Sequence, residues 1–229
     1  PALTRGHAID QLAFAQQNLN KDWSNTIISD ECSVELGVGK RRQWAFGYPH
    51  QKWDTDKITT YNKSKGPSIM VWACISPSFG KSDLIIMTRD ESAARNGYTS
   101  WSYVETLEAG LKPLYSGEEF QQDGASIHTS KAVRQTLQHW GINLLQGWPA
   151  YSPDLSPIEH MWPRLKENLY TVCPALNSEP SQARQIDLMI RYLPIAWDLI
   201  PRHVVDGCLN SMKDRLQAVI DAQGWQTRF

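Results

Sequence analysis

Ser68-Ile69-Met70-Val71-Trp72-Ala73-Cys74-Ile75-Ser76 is the stretch on which the fold turns. It is nearly continuously apolar, entered through Gly66-Pro67 and left through the turn residues Pro77-Ser78-Phe79-Gly80. A strand apolar at successive rather than alternate positions is covered on both faces. The run therefore predicts the middle of a sheet with a layer packed on each side. To either side of it, residues 26–30 predict a strand before it, 81–87 a partner strand after it, and 120–123 and 142–145 two short strands further on. Trp101, Val104, Leu107, Leu111 and Leu114 are spaced for one helical face within 101–115. Residues 130–140 predict a second helix that ends at Gly141. Beyond Ser156 the pattern is helical throughout, over 157–170, 181–199 with an interruption at Pro194, and 202–223. The order of three strands, helix, strand, helix, strand and then helices predicts an α/β fold with a mixed sheet flanked by helices on both faces.

The totals agree with a folded domain and exclude little else. The chain has 229 residues, is 41% hydrophobic and 21% charged, and contains ten Trp. That is enough to bury a sizeable core and too apolar for wholesale disorder. A net charge of −1 gives no global attraction to polyanions, so any nucleic-acid binding must come from local patches. Cys32, Cys74, Cys173 and Cys208 are far apart and lack metal-ligand spacing, which reads as reduced core thiols of an intracellular protein. There is no run of eighteen apolar residues and no membrane partner is expected.

One segment differs from its surroundings. Residues 37–67 hold seven basic residues (Lys40, Arg41, Arg42, Lys52, Lys57, Lys63 and Lys65) against Asp54 and Asp56, with Trp44, Phe46, Tyr48, Trp53 and Tyr61 interleaved. Cations for phosphates and aromatics for packing or stacking suit a nucleic-acid contact. A solvated hairpin is the competing reading.

The chemistry is carried by three acids. Ile27-Ile28-Ser29-Asp30-Glu31 and Phe120-Gln121-Gln122-Asp123-Gly124 each put an Asp at the end of a strand-like run. Trp148-Pro149-Ala150-Tyr151-Ser152-Pro153-Asp154-Leu155-Ser156-Pro157-Ile158-Glu159-His160 puts Glu159 in the first turn of a helix. Three carboxylates from separate segments can form an oxygen-only pocket, the donor set that Mg²⁺ takes. Cutting a phosphodiester needs an activated oxygen, neutralised phosphate charge and a stabilised leaving group, and two such ions supply all three. Each acid also has a bland reading. A strand-end Asp is commonly a turn residue, and Ser156-x-x-Glu159 with Pro157 is also a helix capping box.

These phrases together resemble the catalytic domain of the mariner-superfamily (DDE) transposases. The resemblance rests on Ser29-Asp30-Glu31, on Gln122-Asp123-Gly124 through His128-Thr129, and on Trp148-Pro149 through His160 with Trp162. It rests further on Leu165-Lys166, Val71-Trp72-Ala73 and Ser211 through Leu216, with residues 219–224, and so spans nearly the whole chain. It implies a ribonuclease H-like fold with a five-stranded mixed sheet and a C-terminal helical extension. It further implies that Asp30, Asp123 and Glu159 are catalytic and bind two Mg²⁺ or Mn²⁺ ions, with Asp30 bridging them. Water would nick DNA, and the freed 3′-hydroxyl would attack a TA target. His128 and His160 are implied as near-site residues, His128 either contacting phosphate or metal or holding structure. The implied partners are double-stranded DNA and, in a full-length protein, a second subunit; the implied location is the nucleus. Residues 1–25 then form a linker helix, 26–175 the catalytic domain with the basic insertion 37–67, and 176–229 helices packed on the same domain. The abrupt start suggests a piece of a longer polypeptide, and the helix-turn-helix modules that read transposon ends are not among these residues.

Three features depart from that pattern. The interval between Asp123 and Glu159 is 35 residues, slightly off the commonest spacing. Gly124 stands where Asn is usual, removing a polar side chain beside the acids. Pro163 lies four residues after Glu159; inside a helix it would oppose the Glu159 carbonyl at a cost of roughly 3 kcal/mol unless the helix bends. Pro163, Gly124 and the helix-turn-helix modules that are not among these residues keep open a catalytically inactive or domesticated domain that only binds nucleic acid or itself. A ribonuclease H-type nuclease acting on RNA–DNA hybrids shares the same metal chemistry.

Overall fold

The computed structural model describes residues 3–36, 66–93 and 97–229. All seven cations of the basic segment fall outside the described residues. Helix α1 (Arg5–Asn18) leads in, capped by the Thr4 hydroxyl accepting from the His7 amide. Strands β1 (Thr26–Glu35), β2 (Ser68–Ser76), β3 (Gly80–Lys81) and β4 (Ile85–Ile86) follow, then α2 (Ser100–Gly110), β5 (Glu119–Gln121), α3 (Lys131–His139) and β6 (Asn143–Leu144). A 3-10 turn (Pro157–His160) runs straight into α4 (Met161–Val172), and α5 (Gln182–Asp198), α6 (Arg202–Asn210) and α7 (Met212–Asp221) complete the chain.

The sheet order is β3-β2-β1-β5-β6, with β4 also on β2; β1 is antiparallel to β2 and parallel to β5, and β5 is parallel to β6. The sheet has six strands where five are expected, because the partner strand over 81–87 is split. Ile75 pairs with Lys81, yet Trp72 pairs with Ile85, so three residues of the outer strand oppose two of β2. The extra residue is a bulge. At this break the Ser82 hydroxyl accepts from the Cys74 amide.

β2 is buried as its apolar run predicts, with Val71, Trp72, Ala73, Cys74 and Ile75 all at 0% exposure. Alternation sends Val71, Ala73 and Ile75 to a core shared with α4, α5 and α6, and Trp72 and Cys74 to a second core under α2 and α3. Burial of each large side chain there stabilises by about 1.5–3 kcal/mol. Helix α2 approaches β2 closely because Gly110 has no side chain; a Cβ there would sit 2.5 Å from the Trp72 ring.

Three expected helices change shape. The interruption expected at Pro194 is absent, and α5 runs through that proline as one helix. Residues 202–223 form α6 and α7, broken at Ser211, whose hydroxyl donates to the Cys208 carbonyl at 2.6 Å and accepts from Arg215 Nε at 2.8 Å. Residues 157–170 begin as a 3-10 turn, and α4 starts only at Met161. Pro163 therefore lies in the first turn of α4, where an amide has no partner within the helix and proline is tolerated. The expected clash with the Glu159 carbonyl does not arise.

Candidate active site

β1 and β5 run parallel side by side, with Ile28 opposite Gln121. Two residues further along each chain stand Asp30 and Asp123, so the register itself brings the first two acids to the same edge. Asp30 is not at a strand end; it is the fifth of ten residues of β1, paired with Ala73 on β2. Asp123 lies two residues beyond the end of β5, at the start of the loop into α3. Glu159 sits in the 3-10 turn ahead of α4. The capping box does not form: Ser156 gives no side-chain cap, its hydroxyl is buried without a partner, and the Glu159 amide donates to the Ser156 carbonyl. Helix capping thus leaves the Glu159 carboxylate unexplained.

All three acids line one cleft of about 380 Å³, together with Ser29, Gln121, Gly124 and the segment Trp148–Pro153. A wider groove of about 620 Å³ between α2 and α3, around Trp101, Lys131 and Trp140, has no carboxylate in its lining. Asp30 and Glu159 press on each other. Burial first, then the Glu159 charge, pushes the Asp30 carboxyl up to about 8, against the pull of an indole N–H from Trp162 at 2.8 Å. Burial raises Glu159 too, opposed by the Lys166 charge and a hydrogen bond with Asp30.

Asp123 is held differently. Burial opposes its ionisation, but a hydrogen bond from His128, the Ala125 amide and the imidazole charge outweigh it and lower its pKa. His128 Nδ1 is 2.5 Å from Asp123 Oδ1, and the Ala125 amide donates to the same oxygen at 2.9 Å. The His128 ring is 2% exposed and packs on Tyr103 at 4.0 Å between centroids. Although burial disfavours its charge, the carboxylates of Asp123 and Glu31 on either side raise its pKa to about 10. His160, by contrast, is exposed; it faces Phe229, and partial desolvation followed by the Arg215 charge lowers its pKa.

The loop that carries Glu159 is anchored from far along the chain. The buried Arg215 of α7 donates to the Asp154 carbonyl at 2.7 Å, and the Thr227 amide donates to the Asp154 carboxylate. Leu155 packs with Phe14, Leu216 and Val219. Tyr151, at φ 56°, has its carbonyl held by Gln11 of α1. Asp154 is therefore structural. Trp162, Tyr103, Lys166, Arg215 and Glu31 are residues to which the sequence alone assigns no role at the site. Glu31 left one signal, a carboxylate on the same face of β1 as the buried Ile27. Gly124 has open space where a Cβ would stand, so nothing around it demands glycine.

As donors the three carboxylates suit a hard divalent cation, and the mutual repulsion of Asp30 and Glu159 is the kind that a cation relieves. As they stand, no three His, Cys, Asp or Glu side chains among the described residues are gathered into an ion site.

A family model described as DDE superfamily endonuclease matches residues 26–172, and the chain belongs to that family. The Tcb1 transposase of Caenorhabditis briggsae is 32% identical over 228 residues, covering 96% of this chain and 77% of that protein. The Tc1 transposase of Caenorhabditis elegans is 30% identical over 238 residues, covering 100% and 80%. The solved catalytic domain of Mos1 mariner transposase superposes with a TM-score of 0.64 at 15% identity, covering 100% of this chain and 98% of that one. The Mos1 strand transfer complex gives 0.69 at 15% identity, covering 100% and 64%. The fold is thus ribonuclease H-like. Within the family this is a mariner-type DNA transposase catalytic domain, an enzyme of the nuclease and strand-transferase class.

Proposed function

We propose that Asp30, Asp123 and Glu159 carry phosphodiester hydrolysis and strand transfer, and that they would hold two Mg²⁺ or Mn²⁺ ions. The observation that carries this reading is the single cleft lined by three acids from β1, the β5–α3 loop and the turn before α4. Bound ions would neutralise phosphate charge and lower the pKa of the attacking water or 3′-hydroxyl. Asp30 and Glu159 supply the closely spaced negative pair. Lys166 offsets part of the Glu159 charge. Asp123 stays ionised through His128 and the Ala125 amide.

The substrate proposed is double-stranded DNA, transposon ends first and a TA target second, with homodimerisation in a longer chain and action in the nucleus. Lys40, Arg41, Arg42, Lys52, Lys57, Lys63 and Lys65 are proposed to contact the DNA backbone. The inactive-domain reading drew on Pro163, Gly124 and the end-reading modules not among these residues; Pro163 stands in the first turn of α4, where proline is tolerated, and that supports the active reading on this point.

The test is substitution of Asp30, Asp123 or Glu159 by Ala in a protein that also carries end-recognition modules. Mg²⁺-dependent nicking is expected to fall on the order of 10³-fold or more, as when one member of a catalytic unit is removed. Unchanged nicking in all three variants would eliminate the mechanism. Preference for an RNA–DNA hybrid over duplex DNA would replace the substrate.

A further inference from the structure

Consecutive residues of a strand point to opposite faces. Asp30 accordingly faces α4, where Trp162 reaches it, and Glu31 faces the side of α2 and α3. Most of that second side is apolar core, built from Ile27, Trp72, Tyr103, Leu107 and Phe120. A carboxylate whose side chain is only 16% exposed is costly beside such a core unless something uses it.

What Glu31 faces is His128. Glu31 Oε1 lies 3.3 Å from His128 Nε2, while the other ring nitrogen lies 2.5 Å from Asp123 Oδ1. The Glu31 contact falls outside hydrogen-bond geometry, so it is an electrostatic one. The ring between the two carboxylates has little freedom. It packs on Tyr103, whose hydroxyl donates to Gln122, and the Gln122 amide in turn donates to the His128 carbonyl at 3.2 Å. A ring flip would exchange nitrogen for carbon at both carboxylates.

We infer that Glu31 is a positioning residue for the Asp123 carboxylate, acting through His128. Glu31 fixes which way the imidazole faces. His128 then holds Asp123 Oδ1, which fixes the rotamer of the carboxylate and leaves Oδ2 to the cleft. Neither Glu31 nor His128 lines that cleft. The arrangement resembles the outer-shell carboxylates that orient metal-binding histidines, with a carboxylate in place of the metal. The inference rests on the assignment of Asp123 as an ion ligand.

Mn²⁺ binding to the purified chain without DNA tests it, read by the electron paramagnetic resonance of free Mn²⁺, with melting temperature recorded alongside. Glu31→Gln is expected to weaken Mn²⁺ binding about 10-fold, within the 10–100-fold range for outer-shell partners. His128→Asn is expected to weaken it at least as much, and the double variant no further than His128→Asn alone. If Glu31→Gln melts too low to measure, Glu31→Asp replaces it. That variant keeps the charge but withdraws it by one methylene, and a smaller loss is expected. Unchanged binding in the Glu31 variant, or losses that add in the double variant, would overturn the positioning role. Asp123→Ala separates the two readings. If it binds Mn²⁺ as the parent does, the ligand assignment fails and takes the positioning role with it. If it weakens binding while Glu31→Gln does not, only the positioning role fails.

Discussion

Asp30 and Asp123 stand two residues beyond the same register pair of two parallel strands, and the fold treats them oppositely. Asp30 meets burial, a second carboxylate and one neutral indole donor, and is raised to about 8. Asp123 meets an imidazole and a backbone amide, and its pKa is lowered. One residue type thus yields an acid held above the usual carboxylate range and another held below it. The difference arises from what each face of the sheet brings: α4, with Trp162 and the Glu159 turn, on one side, and α2 with the His128 loop on the other. A cation entering the cleft should be resisted least at Asp123 and should displace a proton at the Asp30–Glu159 pair.

Asp30→Asn is expected to break this comparison most visibly. A carboxyl whose folded pKa lies above its unfolded value binds more protons when folded. Its contribution to stability is therefore present below about pH 4 and is lost as pH rises toward 8. In metal-free buffer the Asn variant should gain on the parent across that window and melt several degrees higher at pH 8. Added Mg²⁺ should raise the parent and leave the variant unmoved. A constant gap from pH 4 to 8 in thermal melts would show that Asp30 is not held up as described.

His128→Asn addresses the other half and should show a related slope from a stabilising pair. The raised histidine contributes fully below its unfolded value of 6.5, and that contribution is lost as pH rises to about 10. The variant should be less stable by about 2 kcal/mol near pH 6, the scale of a lost charge-assisted hydrogen bond. Denaturant unfolding should show the deficit shrinking toward pH 10. A deficit that grows with pH would contradict a charged imidazole.

Trp162→Phe should cost about 2 kcal/mol, since it removes the indole N–H and leaves space where part of a buried ring stood, while some packing on Trp197 at 5.4 Å survives. That hydrogen bond lowers the Asp30 pKa, so its loss should move the pH at which Mn²⁺ binds half-maximally upward. An unmoved midpoint would mean that Trp162 only packs. Pro163→Ala should be smallest, within about 0.5 kcal/mol by urea unfolding, because the proline occupies a first-turn position. A gain approaching the roughly 3 kcal/mol of an interior helix proline would restore the distorted-helix reading.

Much of the site's composition was legible in the chain, but its arrangement was legible only in part. Asp30, Asp123 and Glu159 could be named from their phrases. The length of β1 could not, because Cys32, Ser33 and Val34 become strand only by pairing with Val71, Met70 and Ile69 across the sheet. The same limit applied to the split of the third strand, where one inserted residue shifts a register and leaves no local mark. At residues 156–163, local rules gave a capped helix with a misplaced proline. Packing of Leu155 and the Arg215 anchor instead accompany a 3-10 turn before α4.

Local sequence sufficed for the two-sided sheet, through the unbroken apolar run of β2, and for naming three acids that the fold brings to one cleft. Those are properties of neighbouring residues and can be read along the chain. It took the folded arrangement to push Asp30 up and pull Asp123 down, to set His128 between Asp123 and Glu31, and to turn His160 toward Phe229. Proton affinity and orientation depend on charges, burial and hydrogen bonds a few ångströms away in space, and the groups that supply them here come from up to 132 positions away in the chain.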